Sequence, residues 1–447
     1  MVKKVFYNVA SQVFGKGLTA SATFIVTILI SRALGETGYG DFTKIAVFVG
    51  YFYTLADFGL NSIYIKIADD KNQISLLKTL LGTRLLMAVS LATIASAIGF
   101  LVPYNPATAT GFSPLVKIGI AIASLTIITQ AAYTTSNALF QKKLRYDLST
   151  IAVATGAIAV LIGTLLVTVM GGGVLAYTAI YVIQGIVNVI VAYFFIRKLT
   201  GLKVVPKFLK EDAKKIISGA WPVGIALILN LIYFRIDVFI LSNFRSSAEV
   251  GVYGLAYQFF EAALTVPIFF ANSIYPPLSQ LASKNYGEFK SKVNFWLLTL
   301  TGISILLVIF LEVIANFIPF IYQGRFMGSV LSLKILALGM PFFFASALLW
   351  HTLIIFGRQK FLILIYGIGA AFNLIANLIF IPQYGYMAAT VITVISEALV
   401  LALLAVAYRY FSNKKPVILG SETTPESTRK QILDKSFDPE LKTEGPE

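Results

Sequence analysis

The sequence contains no cysteine and one histidine, and only 13% of its 447 residues are charged. Without cysteine the chain cannot form a disulfide, a thiolate metal site or a cysteine nucleophile. With His351 as the one histidine, a multi-histidine metal site is excluded as well. No P-loop, GxSxG motif or paired-carboxylate loop lies outside the apolar stretches. These absences argue against an enzyme and against any bound cofactor or metal.

Apolar residues make up 57% of the chain. They recur in stretches of about 20 residues, the length that a helix needs to cross a bilayer. Lipid offers no partner to a free backbone amide, so these stretches must be helical. The sequence therefore predicts an all-α integral membrane protein with about twelve transmembrane helices. We expect them near residues 13–34, 39–61, 79–102, 114–140, 147–170, 174–196, 217–243, 250–281, 293–321, 329–356, 361–381 and 386–411.

The net charge of +15 follows the predicted topology. Most of the 36 basic residues fall in the N-terminal segment, in alternate loops and in the C-terminal segment, whereas the loop at 104–114 has none. This distribution is the positive-inside pattern. It predicts a cell membrane protein with both termini in the cytoplasm and an even number of helices. The basic excess thus indicates topology and not a nucleic-acid surface. The first apolar stretch carries no cleavage site, so we expect it to remain as the first helix.

A lysine-rich linker divides the helices six and six. We predict an N-terminal lobe at 1–199, the cytoplasmic linker at 200–216 and a C-terminal lobe at 217–411. The polar residues 412–447 have the composition of a disordered cytoplasmic tail.

The two halves repeat each other. ETGYG from Glu36 recurs as EVGVYG from Glu249, and NSIY from Asn61 recurs unchanged from Asn272. Because each half holds an even number of helices, the repeats are parallel and related by an axis along the membrane normal. In transporters, this symmetry places the substrate between two pseudo-symmetric lobes that rock about a shared site.

Several of these motifs resemble a known family. The relevant stretches are ISRALGETGYGDF and LADFGLNS in the first half, then YFRIDVFILSNF, PIFFANSIYPPLS and NLIANLIFIPQYGYMAATVITVISE in the second. In this order they resemble the polysaccharide transport branch of the multidrug/oligosaccharidyl-lipid/polysaccharide (MOP) exporter superfamily, which includes the O-antigen flippases. The resemblance covers residues 1 to 411.

The resemblance implies a flippase. Such a protein moves a polyprenyl-diphosphate-linked oligosaccharide from the inner to the outer leaflet for polysaccharide biosynthesis, by alternating access. It has membrane lipids as neighbours and a polysaccharide polymerase or glycosyltransferases as candidate partners. A diphosphate headgroup cannot cross hydrocarbon unaided, because stripping water from charges is costly. The cavity is therefore expected to be polar and preferably cationic.

Polar residues recur at helical spacing on the first, fourth, sixth and eighth predicted helices, as Thr19, Thr23 and Thr27 do on the first, which aligns them on one face. Such a face indicates either a hydrated cleft or hydrogen bonding between packed helices. Arginine is a natural diphosphate ligand because its planar fork donates paired hydrogen bonds. An interhelix ion pair or the positive-inside rule accounts equally for the basic candidates. The substrate-binding candidates are Lys16, Arg235, Arg84, Arg145, Gln12, Gln130, Asn137 and Tyr257.

Acidic residues at membrane depth are rare and mark candidates for coupling to protons or sodium. A protonated acid packed between helices would give the same pattern. Asp237 lies two positions from Arg235, so we expect it to face elsewhere and to pair with another helix. The ion-coupling candidates are Asp57, Asp237, Glu261, Glu312 and Glu397.

Two other functions compete with the flippase. A multidrug cation antiporter would need a deep acidic cavity, whereas Lys16 and Arg235 favour an anionic cargo. An intramembrane glycosyltransferase or polymerase would need a large extracytoplasmic loop, and the longest predicted outer loop is residues 104–114.

Overall fold

The computed structural model describes residues 2–413. Within this range, the side chains of residues 2–16, 18, 222, 223, 226 and 228–232 fall outside the description. The predicted tail beyond residue 413 also lies outside the described residues.

The described chain is almost entirely helical, as predicted. The helices are α1 (Val2–Asp57), α2 (Leu60–Ile67), α3 (Gln73–Leu101), α4 (Pro114–Lys142), α5 (Tyr146–Val169), α6 (Val174–Thr200), α7 (Lys210–Phe244), α8 (Ser247–Lys284), α9 (Tyr286–Ala315), α10 (Ile318–Ile321), α11 (Met327–Ala337), α12 (Met340–Ile355), α13 (Gln359–Tyr384) and α14 (Tyr386–Ser412). Two short strands, β1 (Tyr104–Asn105) and β2 (Thr110–Gly111), pair antiparallel between α3 and α4.

Helix α1 is broken at Gly35, whose φ of 66° and ψ of −174° lie outside the helical region. Glycine adopts a positive φ readily because it lacks a Cβ. The break separates a first segment, residues 2–34, from a second segment, residues 36–57. The predicted helices at 13–34 and 39–61 fall on these two segments, although the second segment ends earlier, at Asp57.

Among the described residues, eight helices are long and apolar enough to cross a membrane, or nine when the bent pair α11–α12 is counted as one span. The segments of α1 and the long α7 are not among these eight. The all-α membrane fold is therefore confirmed. The number twelve and the orientation of the termini stay predictions.

The described chain forms two compact units. The first consists of residues 2–262, 311–336 and 370–393, and the second of residues 263–310, 337–369 and 394–413. In the second unit, the His351 ring lies 3.2 Å from the Asn272 side-chain oxygen. The division into an N-terminal and a C-terminal lobe stays a prediction.

Among the described residues, two hydrophobic clusters lie in the core of the first unit. In one of them, small residues of α3, such as Ala88 and Ala95, pack against Ile120 and Ile127 of α4, and all four are fully buried. Small side chains on one helix let a second helix approach closely, which stabilises association within a bilayer.

The predicted linker contacts the first unit shortly before α7 begins. The Lys207 amide donates to the Lys78 carbonyl at 3.0 Å, and Val204 is only 4% exposed. A Cβ at Gly82 would overlap the backbone of Lys207, so Gly82 permits this contact. The linker therefore packs on the start of α3 before α7 begins at Lys210.

Candidate functional site

A cavity of about 420 Å³ lies in the first unit, between both segments of α1, α4 and α6. Its volume is in the range of small-molecule sites, about 300–1,000 Å³. One residue of α8, Gln258, also reaches it.

The cavity wall combines hydroxyl groups, amides and aromatic rings. None of its described lining residues is charged. The polar and aromatic members are Thr23, Thr27, Tyr39, Phe42, Tyr53, Thr126, Thr129, Gln130, Tyr133, Thr178, Tyr181, Gln184, Asn188 and Gln258.

The predicted polar faces of three helices meet at this cavity. They contribute Thr23 and Thr27 from α1, Gln130 with its neighbours from α4, and Gln184 with its neighbours from α6. Within the described residues, Gln130, Gln184 and Gln258 form no hydrogen bond to another residue. Their amides are therefore available to a ligand.

A close approach of α4 and α6 shapes one wall. A Cβ at Gly185 would overlap the side chain of Thr129, so these helices meet at a glycine. One helical turn from Thr129, the Tyr133 hydroxyl lies 2.9 Å from the Ser149 hydroxyl of α5. This contact holds the tyrosine ring in place at the cavity.

Aromatic rings form a continuous strip on the α1 side. The ring centroids of Tyr39 and Phe42 are 6.3 Å apart, and those of Phe42 and Tyr181 are 5.6 Å apart. Tyr39 is 5% exposed, whereas Phe42 and Tyr181 are half-buried. The strip gives the cavity an apolar face beside its amides.

Arg235 of α7 does not line this cavity. One of its terminal nitrogens donates to both carboxylate oxygens of Glu261 on α8, at 2.6 and 2.5 Å. Its guanidinium carbon lies 5.2 Å from the ring centroid of Tyr257, whose hydroxyl donates to the Phe234 carbonyl at 2.9 Å. The structure thus joins a predicted diphosphate ligand to a predicted coupling residue in one ion pair.

Asp237 pairs with other helices, as expected. Its carboxylate accepts hydrogen bonds from the Tyr253 hydroxyl of α8 and from the Thr393 hydroxyl of α14, the latter at 3.4 Å. Asp237 is 3% exposed. Its partners are consistent with a packing role, and coupling by Asp237 stays a prediction.

Arg84 is the centre of a buried polar network. It donates to the Asn61 side chain at 2.9 Å, to the Thr135 hydroxyl at 3.3 Å and to the Asp57 carboxylate at 3.1 Å. Arg84 itself is fully buried, whereas the Asp57 side chain is 40% exposed. The network holds α1, α2, α3 and α4 together.

The remaining candidates are dispersed. Arg145 pairs with Asp147 at 2.8 Å, Lys334 lies 3.9 Å from Glu312, and Glu397 is buried in the second unit. Asn137 is half-buried on α4 and does not line the cavity. The side chains of Lys16 and Gln12 lie outside the described residues. Across the part of the chain that the structure describes, no group of three acidic or histidine side chains is placed to hold a metal ion.

Sequence reasoning missed two polar contacts of α1. Lys44, only 1% exposed, donates to the Gly111 carbonyl of β2 at 2.9 Å. Asp41 accepts from the Ser247 hydroxyl of α8 at 2.6 Å. A charge in the middle of an apolar stretch was the available signal for Lys44.

The repeated glutamates cap backbone amides. Glu36 accepts from the Phe326 amide at 2.5 Å, next to the start of α11. Glu249 accepts from the Tyr386 amide at 3.2 Å, at the start of α14. The repeat of the motif in the sequence was the signal for both contacts. Carboxylates stabilise helix N-termini, where backbone amides lack partners.

Comparison with known families identifies the chain. Residues 1–282 match the family model described as polysaccharide biosynthesis protein, and residues 222–379 match the MatE model. The first match spans more than half of the chain, so the chain belongs to the polysaccharide biosynthesis protein family. The resemblance to the polysaccharide transport branch of the MOP superfamily is confirmed.

Solved structures share the fold. A structure of the lipid II flippase MurJ in an inward closed conformation superposes with a TM-score of 0.69 at 15% identity, covering 92% of this chain and 90% of that one. An inward-facing MATE family multidrug resistance transporter gives 0.64 at 11% identity, covering 89% and 94%. A MOP superfamily transporter from Pyrococcus furiosus gives 0.56 at 12% identity, covering 92% and 95%.

One curated relative also matches along most of its length. An uncharacterized membrane protein from Methanocaldococcus jannaschii is 24% identical, and the match covers 88% of this chain and 81% of the relative. Together with the apolar helices, this similarity makes the chain a multi-pass membrane protein of the MOP transporter fold.

Proposed function

We propose that the protein is a flippase. It carries a polyprenyl-diphosphate-linked oligosaccharide from the inner to the outer leaflet of the cell membrane, with both termini in the cytoplasm, and catalyses no covalent chemistry. The observation that carries the proposal is the polar cavity of α1, α4 and α6, within a chain of the polysaccharide biosynthesis protein family. The shared fold with a lipid II flippase supports it further.

The physical task explains why a polar cavity is needed. A glycan headgroup loses its hydration when it enters hydrocarbon, and each polar group left without a partner costs several kcal/mol. The amides and hydroxyls of the cavity replace water for the glycan, while the lipid tail stays in the bilayer. Opening the cavity to each side in turn then moves the headgroup across.

Arg235 is the proposed contact for the diphosphate. It is half-buried and already bound to the Glu261 carboxylate, and this pairing supports a role in binding an anionic ligand. A diphosphate would replace Glu261, and the released Glu261 would then be free to take up a proton or a sodium ion. This exchange links cargo binding to the proposed ion coupling.

A multidrug cation antiporter is the alternative, favoured by the MatE match over residues 222–379. A cationic drug is best neutralised by a carboxylate inside its site. The described lining of the cavity offers none. Glu261 is the acidic candidate for neutralising a drug cation, and it is already paired with Arg235.

The test is transport by the full-length protein in proteoliposomes. Undecaprenyl diphosphate carrying a fluorescent oligosaccharide is placed in both leaflets, and a membrane-impermeant reagent quenches the outer pool. With the protein present, the reagent is expected to quench the inner pool as well, because the lipid moves to the outer leaflet. Ethidium uptake by the same proteoliposomes tests the antiporter alternative. Ethidium transport without movement of the lipid-linked sugar would establish the antiporter instead.

A further inference from the structure

The cavity differs in charge from the diphosphate of the proposed cargo. Its described lining contains four amide side chains, five threonines and four tyrosines, and no charged side chain. The arginine suited to the diphosphate lies outside that lining, bound to Glu261. Among the described residues, the groups suited to the charge and the groups suited to the remainder of the headgroup are therefore different side chains.

Amide and hydroxyl groups each donate and accept hydrogen bonds. A sugar hydroxyl does the same, so Gln130, Gln184 and Gln258 complement a ligand rich in hydroxyl groups. The strip of Tyr39, Phe42 and Tyr181 offers flat apolar faces, against which the C–H face of a pyranose ring can pack. Mixed surfaces of this kind suit a ligand that is polar at its edges and apolar on its faces.

The described lining does not favour a charged ligand. A carboxylate that enters the cavity loses its hydration and meets no cationic side chain among the described lining residues. An organic cation would find aromatic rings, whose faces attract cations. It would find no carboxylate in that lining to neutralise it.

We propose that this cavity is the binding site for the uncharged sugar part of the cargo, and that it selects neutral sugars over acidic ones. The inference rests on the proposed flippase function and specifies its substrate class. It predicts that a neutral hexose or N-acetylhexosamine next to the diphosphate is accepted, whereas a uronic acid at that position is rejected.

The absence of cysteine permits a direct test. Ala46→Cys places one thiol in the cavity wall without removing a proposed sugar contact, and its alkylation by a small maleimide is timed for the full-length protein in nanodiscs. The probes are undecaprenyl diphosphate alone and the same lipid carrying N-acetylglucosamine or glucuronic acid. Thr126→Cys provides a second cavity position, should the first variant fail to fold. Gln141→Cys is the matched control on α4, outside the cavity.

At a concentration about ten times its Kd, the N-acetylglucosamine lipid is expected to slow alkylation at Cys-substituted cavity positions about tenfold, because only the unoccupied protein reacts. The bare and acidic lipids should protect far less, and the Gln141→Cys thiol should react at one rate throughout. Gln130→Lys should then raise binding of the glucuronic acid lipid about tenfold, through a charge-assisted hydrogen bond.

Equal protection by the acidic lipid would overturn the inference. Absence of protection by a neutral lipid that native mass spectrometry shows to be bound would overturn it too. If no lipid-linked species binds, the flippase proposal itself fails. Free N,N′-diacetylchitobiose at millimolar concentration then tests the cavity alone: protection supports a neutral-sugar site, and its absence removes it.

Discussion

Arg235 donates from one nitrogen to both carboxylate oxygens of Glu261, at 2.6 and 2.5 Å, and this pair links α7 to α8. The two side chains are 28% and 42% exposed, so the pair is accessible and not sealed in the core. An anionic ligand can reach an accessible ion pair and replace its carboxylate, because an exposed pair is held together only weakly.

Substitutions at the two ends of this pair should have opposite effects on cargo binding. Arg235→Ala should weaken binding of undecaprenyl diphosphate about ten- to a hundredfold, and Arg235→Lys should restore part of it, since an ammonium keeps charge without the fork. Glu261→Gln should tighten binding, because it frees the guanidinium. Binding is measured in nanodiscs, with the exposed Glu288→Gln as control. A loss of binding in Glu261→Gln equal to that in Arg235→Ala would make the pair purely structural.

Gly40 marks a close crossing of α1 and α8. A Cβ there would overlap the Ser247 carbonyl, and one at Gly251 would overlap the Glu36 carbonyl. Gly40→Ala should therefore lower the free energy of unfolding by about 1–3 kcal/mol. The control is Gly302→Ala in α9, where a Cβ meets no atom within 4 Å and a small gain of about 0.4–1 kcal/mol is expected. Thermal unfolding in detergent measures both effects. Equal melting temperatures of the two variants would show that α1 and α8 do not approach closely at Gly40.

The same crossing should be a moving contact in transport. Asp41 and Ser247 belong to different predicted lobes and share a 2.6 Å hydrogen bond. In alternating access, repeat units separate during the cycle, so a disulfide between Asp41→Cys and Ser247→Cys should stop transport until it is reduced. The two single-cysteine variants, treated with the same oxidant, are the controls. Normal transport after complete crosslinking would rule out separation at this point.

Arg84 should matter for stability more than any exposed arginine. It is fully buried and bonded to three other residues, Asp57, Asn61 and Thr135. Leaving its buried hydrogen-bond partners unsatisfied costs about 1–3 kcal/mol, so Arg84→Ala should unfold at a clearly lower temperature. The Arg145 side chain is 38% exposed in its pair with Asp147. Arg145→Ala should therefore lower the free energy of unfolding by less than about 1 kcal/mol. Similar losses in the two variants would contradict the network.

Lys44 should hold the β1–β2 hairpin in place. Its ammonium donates to the Gly111 carbonyl at 2.9 Å, and its side chain is almost fully buried. Lys44→Met keeps the volume but leaves that carbonyl without its donor, at a cost of about 1–3 kcal/mol. Hydrogen exchange should then accelerate at residues 104–112. Unchanged exchange in this segment would show that the hairpin is stable without the contact.

The sequence by itself determined the class of fold, because bilayer insertion depends on local apolar length and backbone hydrogen bonding. For that reason, the ends of the predicted helices at 79–102 and 147–170 lie within one to six residues of the ends of α3 and α5. Polar spacing also identified the faces of α1, α4 and α6 that meet at the cavity, since side chains on one helix face share one environment.

Pairing between helices was decided by the tertiary structure alone. Nothing in the spacing of Arg235 or Glu261 indicates that they bind each other, because a side chain's partner depends on which helices become neighbours. Lys44 likewise depends on the position of a hairpin 67 residues away along the chain. Local sequence sets the periodicity and burial of each helix, whereas packing of distant segments decides which charges are paired and which polar groups are left for a ligand.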